Sequence, residues 1–235
     1  SKRFTLENSL RRALERDEFE LYYQPIINLR NGHILGVEAL LRWNSGELGF
    51  VEPMNFIPLL EETGLIRPVG EWVIKQACNQ IIQWHAMGLH DLKLSVNISA
   101  KQLLHSGLVQ LTSELLTKTG LHPHLLDLEI TESVLIEDFS HAIAVLDALN
   151  EMGVSLSVDD FGTGYSSLSY LKRMPVDTLK IDRIFIQDII TNHYDAAIVN
   201  AVCALASSLR FKVVAEGVET AEQLRYLQEK EIYAA

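Results

Sequence analysis

Five carboxylates, one amide and one lysine stand at the ends of short apolar runs in this chain of 235 residues: Glu38, Asn97, Glu129, the pair Asp159-Asp160, Lys180 and Glu216. Brought together, such carboxylates repel and raise one another's pKa unless cations neutralise them. An oxygen-rich group with no thiolate and no paired imidazole favours Mg²⁺ or Mn²⁺ over zinc. Two chemistries suit that set. One is metal-assisted phosphodiester hydrolysis; the other is an enolase-like abstraction of a proton from a carbon acid, with a lysine as base. Arg42, four residues after Glu38, separates them. Its planar fork holds a phosphate oxygen at two points, and a carboxylate or thiolester substrate gives it no task. A lone strand-end acid is commonly a helix cap or a surface charge, so the weight lies in the coincidence.

Residues as distant in sequence as Glu38 and Glu216 meet only if the fold gathers strand ends on one face. Amphipathic helical periodicity is clear over 6–16, 70–87, 108–119, 140–152, 194–209 and 221–230, the last opened by a capping box of Thr220 and Gln223. Between them lie runs rich in Val, Ile, Leu and Tyr over 21–27, 34–41, 92–98, 126–130, 155–158, 178–181, 212–215 and 231–235. Strand alternating with helix in this way predicts an α/β fold, a modified (β/α)8 TIM barrel, whose active sites assemble at the C-terminal strand ends. An open doubly wound sheet would carry a glycine-rich phosphate turn after an early strand, and the chain has Asn28-Leu29-Arg30-Asn31-Gly32 there instead. That turn is too short for a parallel crossover, so the first strand is expected to run antiparallel to the second.

Composition sets the outer bounds. A hydrophobic fraction of 48% and a charged fraction of 22% are ordinary for a soluble globular protein, and with no linker splitting the chain one domain over 1–235 is expected. A net charge of −11 opposes binding to polymeric nucleic acid but not to a small phosphate ligand met through a metal. No run is long and apolar enough for a membrane helix, so no membrane contact by this domain is expected. Cys78 and Cys203 read as buried core thiols in a reducing, cytoplasmic setting. His122 and His124 read as solvated, and Trp72 and Trp84 as packing residues on an amphipathic helix.

In order, the motifs resemble one family. Glu38-Ala39-Leu40-Leu41-Arg42-Trp43 is the signature of the EAL domain family of bacterial cyclic di-GMP phosphodiesterases. It follows Tyr23-Gln24-Pro25 and precedes Asn55-Phe56-Ile57-Pro58 and Glu62-Thr63-Gly64. Ser95-Val96-Asn97-Ile98-Ser99, Leu128-Glu129-Ile130-Thr131-Glu132, Leu179-Lys180-Ile181-Asp182 and Val214-Ala215-Glu216-Gly217-Val218-Glu219 also match, as does the stretch from Asp159-Asp160-Phe161-Gly162 to Ser167.

The resemblance implies hydrolysis of cyclic di-GMP to linear pGpG with two Mg²⁺ or Mn²⁺ ions, Ca²⁺ being inhibitory. It implies that Glu38, Asn97, Glu129 and Asp159 hold one ion, and that Asp159, Asp160 and Glu216 hold the second. Lys180 and Glu216 are its candidates for handling the proton of the attacking water. Gln24, Leu41, Arg42, Asp182, Gly217 and Glu219 fall on its substrate side, Asp182 as an acceptor for the N–H edge of guanine. Glu132 corresponds to an anchor for the loop 160–167, bent at its two glycines. A homodimer and upstream sensory or GGDEF-type domains in a longer parent chain are also implied. The alternative within the family is an inactive receptor for the same nucleotide. The family continues past the eighth strand into a Gln-Gly-Tyr/Phe segment, and this chain stops at Tyr233-Ala234-Ala235, so the last strand is expected to be truncated.

Overall fold

A computed structural model describes residues 2–105, 107–132, 138–163 and 168–235. Helix α1 (Lys2–Ala13) leads into a long hairpin of β1 (Phe19–Ile27) and β2 (Ile34–Ser45), and β3 (Gly49–Val51) folds back on the end of β2. Two helices follow, α2 (Pro53–Thr63) and α3 (Ile66–Ala86). Strand β4 (Lys93–Ile98) is followed by α4 (Ala100–Leu103) and α5 (Leu108–Thr119), and β5 (Leu126–Thr131) by α6 (Phe139–Glu151). Next come β6 (Ser155–Phe161) with α7 (Leu168–Leu171), and β7 (Thr178–Ile181) with α8 (Arg183–Gln187) and α9 (His193–Leu209). The last pair is β8 (Lys212–Ala215) and α10 (Ala221–Glu229).

The sheet runs in the order β1-β2-β4-β5-β6-β7-β8 with β3 on the flank of β2. Strands β2 to β8 on that path are parallel, and β1 is antiparallel to β2, as its short turn requires. The remaining gap is bridged by Tyr233–Ala235. Ala235 exchanges backbone hydrogen bonds with Ile27, and on the other side Ala215 donates to Ala234 and Tyr233 to Val213. In place of the expected strand over 231–235 there are only isolated bridges of Ala234 to Asn28 and Val214. The reason is local. Glu231 sits at φ +58°, a left-handed conformation that keeps the start of this run out of a strand as the chain turns out of α10.

Several elements have no counterpart in the periodicity: α2, β3 and the one-turn helices α4, α7 and α8. Segment 53–63 carries prolines at 53 and 58 and forms α2. Pro53 takes the first turn, where a missing N–H costs nothing, and Gly64 ends the helix in the left-handed region at φ 77°. The three-residue β3 is too short to show a period. The helix expected over 70–87 begins four residues earlier, and β6 runs on to Phe161 rather than ending at Val158.

The helix-facing sides of the strands are aliphatic: Leu94, Val96, Leu128, Ile130, Leu156, Val158, Leu179 and Ile181 are all buried. Cys78 joins this core, and burial pushes its thiol up to about 12. Cys203 on α9 is only half-buried, a departure from the expected pair of core thiols, because α9 turns that side partly to solvent. Trp72 and Trp84 pack as expected, Trp84 edge-on to Tyr23 with centroids 4.8 Å apart. None of the described helices is long and apolar enough to cross a membrane.

Candidate active site

Successive side chains on a strand point to opposite faces, so residues two apart share one. Opposite the aliphatic face, β4 carries Ser95 and Asn97, β5 Asp127 and Glu129, β6 Ser157 and Asp159, and β7 Lys180. Parallel pairing sets Glu38 beside Ser95 and Asn97 beside Glu129. These side chains therefore turn toward the barrel axis and meet. The ammonium of Lys180 lies 3.1 Å from Glu38, 2.7 Å from Glu129, 3.5 Å from Asp159 and 2.7 Å from Glu216. Lys180 is 3% exposed and Glu129 1%. Asn97 donates from Nδ2 to Glu38 Oε1 at 2.7 Å.

An ordinary strand sends neighbours to opposite sides, so Asp159 and Asp160 need a special backbone to act together. The β6–β7 register shifts between Val158 and Phe161, and Asp160 adopts φ +54°. This bulge turns the strand at Asp160. Ligand oxygens of Asp159, Asp160 and Glu216 thereby come within 4.8 Å of one another. Burial and a hydrogen bond to Asp182, with Asp159 close by, push the Asp160 carboxyl up to about 7. Burial likewise raises Glu129 well above the ordinary carboxylate range, against the pull of Lys180. Burial alone would lower Lys180, but Glu129, Glu38, Asp159 and Glu216 outweigh it and hold the ammonium protonated.

Four carboxylates around one ammonium, with Asp160 beside them, leave negative charge uncompensated, every donor is oxygen, and Asn97 adds an amide without adding charge. A hard divalent cation fits that donor set.

Two clefts open above the cluster, sharing Leu40 and Asp159 as their divide. The larger, about 670 Å³, is lined by Gln24, Arg183, Gly217 and Glu219; the smaller, about 540 Å³, by Leu41, Arg42, Asn97 and Asp160. Gln24 pairs across the hairpin with Glu38. Gly217 has φ +70°, and a Cβ there would stand 2.6 Å from that of Arg183, so glycine alone fits. Asp182 accepts the Ile184 N–H at 2.7 Å as the cap of α8, besides meeting Asp160. Glu132, 8% exposed, accepts from the Gly162 N–H at 3.4 Å, and its Oε1 has no partner among the described residues. Of the loop over 160–167, residues 164–167 lie outside the described residues; Gly162 bends at φ +100°.

Sequence reasoning passed over Asp127, Tyr22 and Arg183. Asp127 accepts from Ser95 Oγ at 3.1 Å and from Ser157 Oγ at 2.8 Å, beside an axial cavity of about 130 Å³ beneath Lys180 and Glu129. Burial raises its pKa. Its signal was its place two residues before Glu129. Tyr22 and Arg183 carry no motif signal; Arg183 emerges only as part of the larger cleft's lining, and Tyr22 only from its ring's contact with Arg42.

Residues 7–235 match the family model described as EAL domain. The bifunctional diguanylate cyclase/cyclic di-GMP phosphodiesterase MucR of Pseudomonas aeruginosa is 48% identical over 222 residues, which is 94% of this chain and 32% of MucR. The cyclic di-GMP phosphodiesterase NbdA of the same organism is 45% identical over 224 residues, 95% of this chain and 29% of NbdA. The chain thus spans about a third of the length of these curated relatives. A solved structure of the PaMucR phosphodiesterase in complex with c-di-GMP superposes with a TM-score of 0.94 at 46% identity, covering 98% of this chain and 93% of that one.

Proposed function

This chain belongs to the EAL domain family, and on that premise we propose that it hydrolyses cyclic di-GMP to linear pGpG with divalent metal ions. The observation that carries the reading is the cage of Glu38, Glu129, Asp159 and Glu216 around Lys180, set between two clefts. A cyclic dinucleotide has two guanosine halves joined by phosphates, and a charged divide with a cleft on either side suits that symmetry. In this reading Glu38, Asn97, Glu129 and Asp159 would hold one Mg²⁺ or Mn²⁺ ion, and Asp159, Asp160 and Glu216 the second. When bound, the ions supply Lewis acidity to the scissile phosphate and to the attacking water.

The remaining work falls to the chain's own groups. Water attacks phosphorus, the bond from phosphorus to the 3′ oxygen breaks, and that oxygen leaves with a proton. Lys180 and Glu216, 2.7 Å apart, would orient the water and handle its proton. Arg42 would grip a non-bridging phosphate oxygen from the smaller cleft. Gln24, Leu41, Asp182, Gly217 and Glu219 would shape the substrate side. Glu132 would hold the loop that starts at Asp160 through the Gly162 N–H. The family reading also carries a cytoplasmic setting, a homodimer, and sensory or GGDEF-type domains in a longer parent.

The test is direct. The protein is incubated with cyclic di-GMP and Mg²⁺, Mn²⁺ or Ca²⁺ in turn, and the nucleotides are separated. Linear pGpG is expected with the first two and not with Ca²⁺, whose larger size tolerates looser coordination. Tight binding with no product under Mg²⁺ or Mn²⁺ would replace this reading with that of a cyclic di-GMP receptor.

A further inference from the structure

We propose that Tyr22 is a positioning residue for Arg42, its exposed ring serving as the platform that aims the guanidinium at a phosphate in the smaller cleft. The inference rests on the reading of Arg42 as a phosphate ligand. The two faces of β1 differ. Phe19 is buried and Tyr23 half-buried, and Tyr23 packs against Trp84 of α3. Glu20, Tyr22 and Gln24 share the other face, opposite Arg42, Leu40 and Glu38 in the hairpin register. Tyr22 is thus on the strand face that carries Glu38, yet it is 52% exposed. A ring left that open contributes little to the core.

Its one ring contact among the described residues is with Arg42, whose Cζ lies 5.3 Å from the ring centroid, within cation–π range. Arg42 Nη1 also donates to the Leu41 carbonyl at 3.0 Å. No carboxylate lies within ion-pair distance of Arg42 among the described residues. That combination has a purpose that a carboxylate could not serve. A carboxylate would hold the fork by occupying the N–H groups a phosphate needs. An aromatic face attracts the cation through its quadrupole and leaves the in-plane donors open.

The experiment is steady-state hydrolysis of cyclic di-GMP with Mn²⁺ by the wild-type protein, Tyr22→Ala, Tyr22→Phe, Arg42→Ala and the double variant Tyr22→Ala/Arg42→Ala. Melting temperatures for all five confirm that each is folded. Tyr22→Ala is expected to raise KM about two- to five-fold with kcat unchanged, the scale of an exposed cation–π pair. Tyr22→Phe, which keeps the ring, restores the wild-type KM. The double variant is no worse than Arg42→Ala alone. If Arg42→Ala raises KM and Tyr22→Ala does not, the platform is overturned while the reading of Arg42 stands. The platform also falls if the two losses multiply in the double variant, since Tyr22 then acts on the nucleotide independently, or if Tyr22→Phe is as impaired as Tyr22→Ala. An unchanged KM in Arg42→Ala removes the phosphate-ligand reading itself, and the platform with it.

Discussion

The two faces of the same parallel strands could hardly differ more. Toward the helices, β4 to β7 present Leu94, Val96, Leu128, Ile130, Leu156, Val158 and Leu179, an aliphatic layer closed to water. Toward the axis the same strands present Ser95, Asn97, Asp127, Glu129, Ser157, Asp159 and Lys180. TIM barrels ordinarily fill their interior with bulky branched side chains. Here that volume is given to ionisable groups, and folding must be driven from the outer layer alone. The axial groups are compatible with the fold because each buried charge has a partner: Lys180 serves four carboxylates, and two serine hydroxyls serve Asp127. One face provides stability; the other uses some of it to keep charges close together.

Substitutions on the two faces should therefore separate activity from stability. The largest effect is expected at Glu38→Ala, where turnover of cyclic di-GMP should fall by at least about a thousand-fold, the worth of about 4 kcal/mol of transition-state stabilisation. Its melting temperature in chelator should not fall, because one repelling charge has gone. Retained turnover would remove Glu38 from the set of metal ligands. Lys180→Met leaves the carboxylates without their cation and should cost about 3–5 kcal/mol in chelator, with much of that recovered on adding Mn²⁺. Chemical denaturation with and without the metal reads both numbers, and a loss that Mn²⁺ cannot relieve would mean that the cage holds no cation. On the opposite face, Leu128→Ala should cost about 2–5 kcal/mol. The folded fraction should keep its KM and kcat, and a large kinetic defect in that variant would show the faces to be coupled. Ser157→Ala removes one hydrogen-bond donor from Asp127 and should cost about 1–3 kcal/mol. If it also slows turnover, the chemistry reaches deeper down the axis than the carboxylate cage.

Legibility in the sequence followed the same division. Strand ends and amphipathic helices were readable because period and composition agree there, as at β4, β5 and α10, whose capping box of Thr220 and Gln223 forms as expected. The residues of the cage were readable for the same reason: each polar group interrupts an apolar run. Helix α2 was hidden by Pro53 and Pro58, whose cost depends on position in the helix and not on residue type. The bulge at Asp160 was hidden because no residue type announces a register shift between two strands distant in sequence. Nor does any local pattern show that a single ammonium would end up among four carboxylates contributed by β2, β5, β6 and the residue after β8. Long-range pairing decides that, and local pattern carries no record of it.

At the seam of the ring, Ile27 and Ala235 exchange amide hydrogen bonds, and Ala215 and Tyr233 add one each. The axial cavity is lined in part by Ile26, Val214 and Tyr233, which flank that seam. The buried polar column around Asp127 thus borders the edge where β1 and β8 approach, and amide exchange at Ile27 and Ala215 would report how often that edge opens.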